Sequence, residues 1–356
     1  MSSTIWPAFL PSRLRSTAVL VGTASHVLPG TLPSLPQAKA SVAALAAALT
    51  GPLGLLDPSA VNCRIDPQVP GDVLRLLPVP GGDELDLCLF YFTGHGVRGE
   101  DQRLCLALPG SVDDEKSAER TSLPVAAVFQ AMRQVRAAHK VAIIDCCFAG
   151  RALDASEAAD IHLLTAVGRT RKALSPEGLE HTGFTGALLR LLAEGVPEGP
   201  EYLDLTTVYR RLAVTLPATR LPVPLQRAIG ASGDLALVRN PAHGTGHTRQ
   251  GLLARARFAE QVKRLGLARR PGRAVQAVRL FEGIVTDAAR ELGPIHRETL
   301  LYRHVHAAAT GESGDPGRAC ALLEGTVADW ETVAPAGDAE LEAARASYDY
   351  WRSQTA

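Results

Sequence analysis

Two apolar stretches, Leu85 to Phe92 (LDLCLFYF) and Lys140 to Cys147 (KVAIIDCC), each run for the length of a β-strand and then break into small, polar or reactive residues. The first gives way to Thr93-Gly94-His95-Gly96 and the second to Phe148-Ala149-Gly150. A near-continuous apolar run is the signature of a strand covered on both faces, as in a parallel sheet flanked by helices. Parallel neighbours need a crossover, and residues 124–137 carry the amphipathic pattern of a crossover helix. Open α/β sheets bind ligands outside the carboxyl ends of their strands, so chemistry is expected where these two runs stop.

The surrounding chain extends this pattern. Thr17 to Gly22 (TAVLVG) reads as a buried strand, Ala38 to Leu49 as a helix stopped by Gly51-Pro52, Asp160 to Val167 as a further strand, and Phe184 to Glu194 as a helix. Gly168 to Gly183 is polar and basic and reads as a loop. Composition changes at Asn240-Pro-Ala-His-Gly-Thr-Gly-His247 to Gly, His and Thr, the chemistry of a linker. The expected organisation is an α/β domain over 1–240, a linker over 241–250 and an all-α domain over 251–356. In the last of these, Leu280 to Asp287 (LFEGIVTD) matches Leu322 to Asp329 (LLEGTVAD) at a spacing of 42 residues, with five of eight positions identical. Each copy is followed by a Pro or Gly break and a second helix, at 296–310 and 337–354. The period resembles tetratricopeptide-like repeats; an ordinary small helical bundle is the other reading.

Composition narrows the function. A chain of 356 residues, 46% hydrophobic and 21% charged, supports a sizeable core and two domains. Net charge is zero and Lys and Arg form no long stripe, so a nucleic-acid binder is not expected. No apolar run approaches the roughly 18 residues of a membrane span, and the first residues lack the pattern of a signal peptide. The six cysteines, Cys63, Cys88, Cys105, Cys146, Cys147 and Cys320, show neither a C-x-x-C pair nor a dense disulfide framework. They read as reduced thiols of a cytoplasmic protein.

Cysteine becomes a nucleophile where a base favours its thiolate, and histidine is the usual base. If the two runs are neighbouring strands, His95 and Cys147 project into one crevice. Gly94 and Gly96 leave the backbone around His95 free for an unusual turn, and the backbone N–H groups of Gly96 and Cys147 become candidate donors to an oxyanion. Singly, such a His or Cys is more often a surface or core residue. The joint order, strand and Gly-His-Gly, then strand and Asp-x-Cys-x-x-Gly, carries the inference. Successive strand residues face opposite ways, so only one of Cys146 and Cys147 can easily face His95.

YFTGHG (91–96) resembles the Y-x-G-H-G segment of caspases and metacaspases, and DCCFAG (145–150) resembles the D-x-C-x-x-G segment around the metacaspase nucleophile. The two key residues are 52 positions apart, close to the ~50 of caspases. Similarity extends over about residues 15–240 and includes GFTGALLRLLAEG (183–195). More narrowly, the chain resembles bacterial caspases of conflict systems with effector-associated components. The resemblance implies a caspase-hemoglobinase three-layer α/β/α sandwich, Cys147 as nucleophile, His95 as base, and no metal or organic cofactor. It implies that Asp145 lies in the S1 pocket and favours Arg or Lys at P1. Two departures weaken that implication: the early Cys and Asp of the metacaspase pocket are replaced near PSLPQAKAS (33–41), and no acid stands at Thr165-Ala166. Asp145 as a structural cap on a neighbouring loop is the other reading.

The expectation is therefore a cysteine endopeptidase acting on protein or peptide substrates, in bacterial defence or regulated cell death, with an activating protein bound by the helical repeats. Arg169 to Lys172 (RTRK) falls where such enzymes are often cut between subunits, and a solvated loop is the plain alternative. Asp113-Asp114-Glu115 lacks the further spacing of a calcium site. Two rivals stand: a catalytically silent scaffold working through its repeats, and a different thiol hydrolase using the same pair on another fold.

Overall fold

The run that opens at Leu85 is buried almost from end to end because it lies in the middle of a sheet with layers on both faces. The architecture comes from a computed structural model that describes residues 9–27, 32–168, 178–269 and 271–355. The chain divides into two compact units, Met1–Pro241 and Ala242–Ala356.

In chain order the first unit contains β1 (Ser16–Gly22), α1 (Gln37–Thr50), β2 (Val61–Ile65), α2 (Pro70–Leu74) and β3 (Leu85–Thr93). The short strands β4 (Gly96–Arg98) and β5 (Leu104–Leu106), α3 (Glu115–Thr121), β6 (Leu123–Pro124), α4 (Val125–Gln134) and β7 (Ala137–Asp145) follow. It ends with β8 (His162–Thr165), α5 (Gly183–Glu194), β9 (Tyr202–Asp204), α6 (Leu205–Ala218), β10 (Leu225–Arg227) and β11 (Ala236–Arg239).

The main sheet has the order β10-β8-β7-β3-β1-β2. Every pairing is parallel except that of β10 with β8. The crossover from β1 to β2 runs one way across the sheet and that from β3 to β7 runs the other, so right-handed connections put α1 and α4 on opposite faces. α5 packs beside both α1 and α6. The result is the three-layer α/β/α sandwich expected from the sequence. Phe90, Tyr91 and Phe92 in β3 are wholly buried, each worth roughly 1.5–3 kcal/mol on transfer from water. β2, in contrast, is an edge strand with its three central residues exposed.

β7 ends at Asp145, two residues before the end of the apolar run, and the helix expected over 124–137 stops at Gln134. The strand expected over 160–167 shortens to β8. β4, β5 and β6 make a separate three-stranded antiparallel sheet that begins directly after His95. Arg169 to Lys172 lies outside the described residues.

The described residues of the second unit form five helices: α7 (Arg249–Arg269), α8 (Pro271–Glu291), α9 (Arg297–Glu312), α10 (Pro316–Val333) and α11 (Ala339–Ser353). Each packs against the next, and alternate helices α7, α9 and α11 also touch in turn. Ion pairs recur along the series. Arg255 of α7 meets Asp287 of α8 at 2.7 Å, and Arg303 of α9 meets Asp329 of α10 at 2.6 Å. Arg249 pairs with Glu298, and Arg297 pairs with Glu340. Asp287 and Asp329 stand 42 residues apart, as do Glu298 and Glu340, while their arginine partners stand 48 apart, so the 42-residue spacing is kept by the acidic halves of these contacts.

Candidate active site

The register of β3 on β7 decides what meets at the end of the sheet. Leu85 lies opposite Ala137 and Thr93 opposite Asp145, a constant offset of 52. His95 and Cys147 are separated by the same 52 positions. The pairing itself stops at Thr93 and Asp145, so both residues lie two positions past the carboxyl ends of the two central strands. The ladder continues partway, with Gly94 N–H donating to the Asp145 carbonyl at 3.3 Å. Gly96 lies so close to the second segment that a Cβ there would come within 2.1 Å of the Cys147 carbonyl oxygen and 2.9 Å of Cys146 Sγ. Only glycine permits this approach.

The two adjacent cysteines differ in surroundings. Cys146 is fully buried, and burial pushes its thiol well above the ordinary range, helped by Cys147 and Asp145. Cys147 is half-buried, and Phe148 after it takes the left-handed conformation at φ 59°. That conformation is uncommon for a residue with a Cβ and turns the chain sharply. None of the six cysteines is in a disulfide.

His95 is half-buried and its Nε2 lies 2.8 Å from the Pro33 carbonyl oxygen. A carbonyl only accepts, so Nε2 is the donor here, and in the neutral tautomer this leaves Nδ1 as the nitrogen with a lone pair. The segment that brings Pro33 here is anchored: Asp66 Oδ1 accepts from Ala24 N–H at 2.7 Å and Ser25 N–H at 3.0 Å, and Leu35 N–H donates to the Ala24 carbonyl at 2.7 Å. The same segment places the ring of His26 5.1 Å from that of His95. Burial, and then the nearby His95, lower the His26 pKa. The Pro33 carbonyl and His26 were not singled out from the sequence. A carbonyl leaves no trace in residue type, and PSLPQAKAS drew notice only for lacking Cys and Asp.

Asp145 is 2% exposed. Its Oδ2 accepts from Thr182 Oγ1 at 2.5 Å and from Thr185 Oγ1 at 2.7 Å. Tyr91 OH lies 2.7 Å from Thr185 Oγ1, whose own hydrogen is engaged, so the phenol donates. Burial raises the carboxyl pKa against these hydrogen bonds, which lower it. Asp145 also lines a cavity of about 10 Å³ with Ala166, Val167, Phe184, Leu216, Leu221 and Pro222. It thus caps two threonines and reaches a small apolar cavity at once.

Asp114 precedes α3, and Glu115 Oε1 accepts from Gln102 Nε2 at 2.9 Å. Among the described residues no group of three His, Cys, Asp or Glu is placed to hold a metal ion, and no helix is long and apolar enough to cross a membrane.

The profile of the caspase domain family matches residues 18–223, more than half of the chain. Among solved structures, the chain is similar to caspase-1 from Spodoptera frugiperda at 15% identity, over 68% of this chain and 97% of that one, with a TM-score of 0.44. No curated protein matches.

Proposed function

The chain belongs to the caspase domain family of cysteine peptidases, and from that premise we propose that it is an endopeptidase with Cys147 as nucleophile and His95 as base. The observation that carries the assignment is the shared offset of the β3–β7 register and the His–Cys pair. With Nε2–H held by the Pro33 carbonyl, His95 Nδ1 takes the Cys147 proton. The thiolate attacks the scissile carbonyl, and the backbone N–H groups of Gly96 and Cys147 stabilise the oxyanion. The amine leaves with a proton from the imidazole, and water hydrolyses the thioester.

Asp145 is assigned to the P1 side chain, favouring Arg or Lys, because a cation entering its cavity would neutralise a buried carboxylate. A cavity of about 10 Å³ must widen to admit such a side chain. The helices of the second unit, whose ion pairs repeat with their acidic partners 42 residues apart, are read as tetratricopeptide-like repeats that bind an activating protein. The place of action is read as the cytoplasm, where unbridged cysteines are the rule. A role in bacterial defence or regulated cell death rests on the sequence resemblance alone.

The test is turnover of a diverse fluorogenic peptide library by the wild-type protein, Cys147→Ala and Cys146→Ala. The expected outcome is cleavage after Arg or Lys, lost by roughly 10³-fold or more in Cys147→Ala and retained in Cys146→Ala. Cleavage after Asp with none after Arg would overturn the P1 assignment. Activity surviving in Cys147→Ala would overturn the nucleophile.

A further inference from the structure

The segments that leave the two candidate catalytic residues converge again a short way downstream. The chain after His95 forms β4 and reaches Asp101 to Leu104, while the chain after Cys147 turns through Arg151 to Glu157. Between them, closed by α3 and the start of α4, lies a cavity of about 320 Å³. This is the size of a site for a small ligand or a long side chain.

Its lining is specific in chemistry. Four carboxylates, Asp101, Glu119, Asp154 and Glu157, stand against two guanidiniums, Arg103 and Arg151. Both arginines are already engaged: Arg103 lies 3.9 Å from Asp101, and Arg151 Nη1 donates to the Gln102 carbonyl at 3.2 Å. Glu119 and Glu157 make no ion pair among the described residues. Leu104 and Val125 supply apolar wall. α4 opens here without a side-chain cap, so its first N–H groups suit a peptide carbonyl. Arg151 Nε is buried with no hydrogen-bond partner, a donor that a backbone carbonyl of a bound peptide, and not its cationic side chain, would satisfy.

The cavity is wired to the nucleophile. Gln102 accepts from Arg98 Nη1 at 3.0 Å, and the Arg98 guanidinium lies 5.1 Å from the centre of the Phe148 ring, directly after Cys147. Among the described residues five non-glycine residues have positive φ, and three of them, Asp101, Gln102 and Phe148, belong to this connection. Such strain persists where the surroundings hold it and clusters at functional sites.

We infer that this cavity is a second substrate subsite, taking a lysine or arginine side chain of the peptide at a position other than P1. The aliphatic stem lies along Leu104 and Val125 while the cation meets Glu119 and Glu157. The inference rests on the peptidase reading for its biological meaning, but its test does not depend on turnover. Fluorescent octapeptides, in which one lysine is walked along an otherwise neutral sequence and compared with norleucine at each place, are titrated against Cys147→Ala protein by anisotropy. The expected result is a register, distinct from the one abolished by Asp145→Asn, at which lysine binds about tenfold more tightly than norleucine. That gain weakens with salt and disappears when Glu119→Gln and Glu157→Gln are added, with circular dichroism unchanged. Should the double change disturb folding, Glu157→Gln alone is compared, with a partial loss expected. No second register, or one indifferent to both glutamates, overturns the inference. Loss of peptide turnover by wild type with the lysine register intact would sink the peptidase reading and leave the subsite standing.

Discussion

Asp145, the carboxylate proposed to meet P1, is a buried group that works against stability. Its raised pKa means that the folded state holds a proton more readily than the unfolded chain. The stability it contributes is therefore present at low pH and lost as pH rises through the carboxylate range. At neutral pH it is a burden, offset in part by Thr182 and Thr185. Asp145→Asn keeps an acceptor for both hydroxyls without the charge. It is expected to raise the melting temperature by a few degrees while reducing kcat/KM for Arg-P1 peptides by about tenfold or more, read by thermal melts and peptide kinetics. His162 works in the opposite direction. It is buried, receives Gln226 Nε2–H on Nε2 at 3.0 Å and donates Nδ1–H to Ser232 Oγ at 2.8 Å. Burial, and then His139, bring its pKa down to about 4 from 6.5. The unfolded chain takes up the proton first, so stability is full above about pH 6.5 and falls on acidification towards pH 4, by up to about 3 kcal/mol. Urea melts across that range are expected to show this slope, and His162→Gln to flatten it.

At the scale of the element, what could be read in advance depended on how a strand is buried. β1, β3 and β7 are covered on both faces and declare themselves as apolar runs. β2, an edge strand with Asn62, Cys63 and Arg64 outward, carries no such pattern, and β4 to β6 are too short for any periodicity to register. The two strand ends bearing His95 and Cys147 were legible for the same reason as the strands, while the carbonyl of Pro33, 62 residues before the ring it holds, was not. Gly96 connects these elements to activity. A methyl group there meets backbone, the Cys147 carbonyl, which cannot swing aside. Gly96→Ala is expected to lower kcat/KM about 100-fold, as a displacement of the order of 1 Å at a reacting pair does. Burst titration of Cys147 with a peptide-directed covalent inhibitor would show whether the surviving sites react slowly or are fewer.

The whole molecule carries separate cores. A large apolar cluster and a small one around Val97 and Cys105 lie in the first unit, and others, around Leu252 and Phe281 and around Leu300 and Trp330, lie in the second. Domains with their own cores melt as their own cooperative units. Calorimetry is accordingly expected to resolve two transitions. Gly311 in α9 offers a way to tell them apart, since a Cβ there would come within 2.6 Å of the Trp351 ring in α11. Gly311→Val is expected to lower only one transition and to leave unchanged the temperature at which the buried Cys146 thiol becomes reactive. A shift in both would show that the units unfold together. The register that joins β3 to β7 bears on how such a chain can be altered. Strand pairing fixes where the ends of β3 and β7 meet, whereas the count of residues between them merely records the length of the excursion that connects them. That excursion passes through an exposed turn at Gly110, Asp113 and Asp114. A segment spliced in there would change the count of residues between the two strand ends and leave their pairing as it is, so this turn is the place where the chain can be lengthened without moving the ends of β3 and β7.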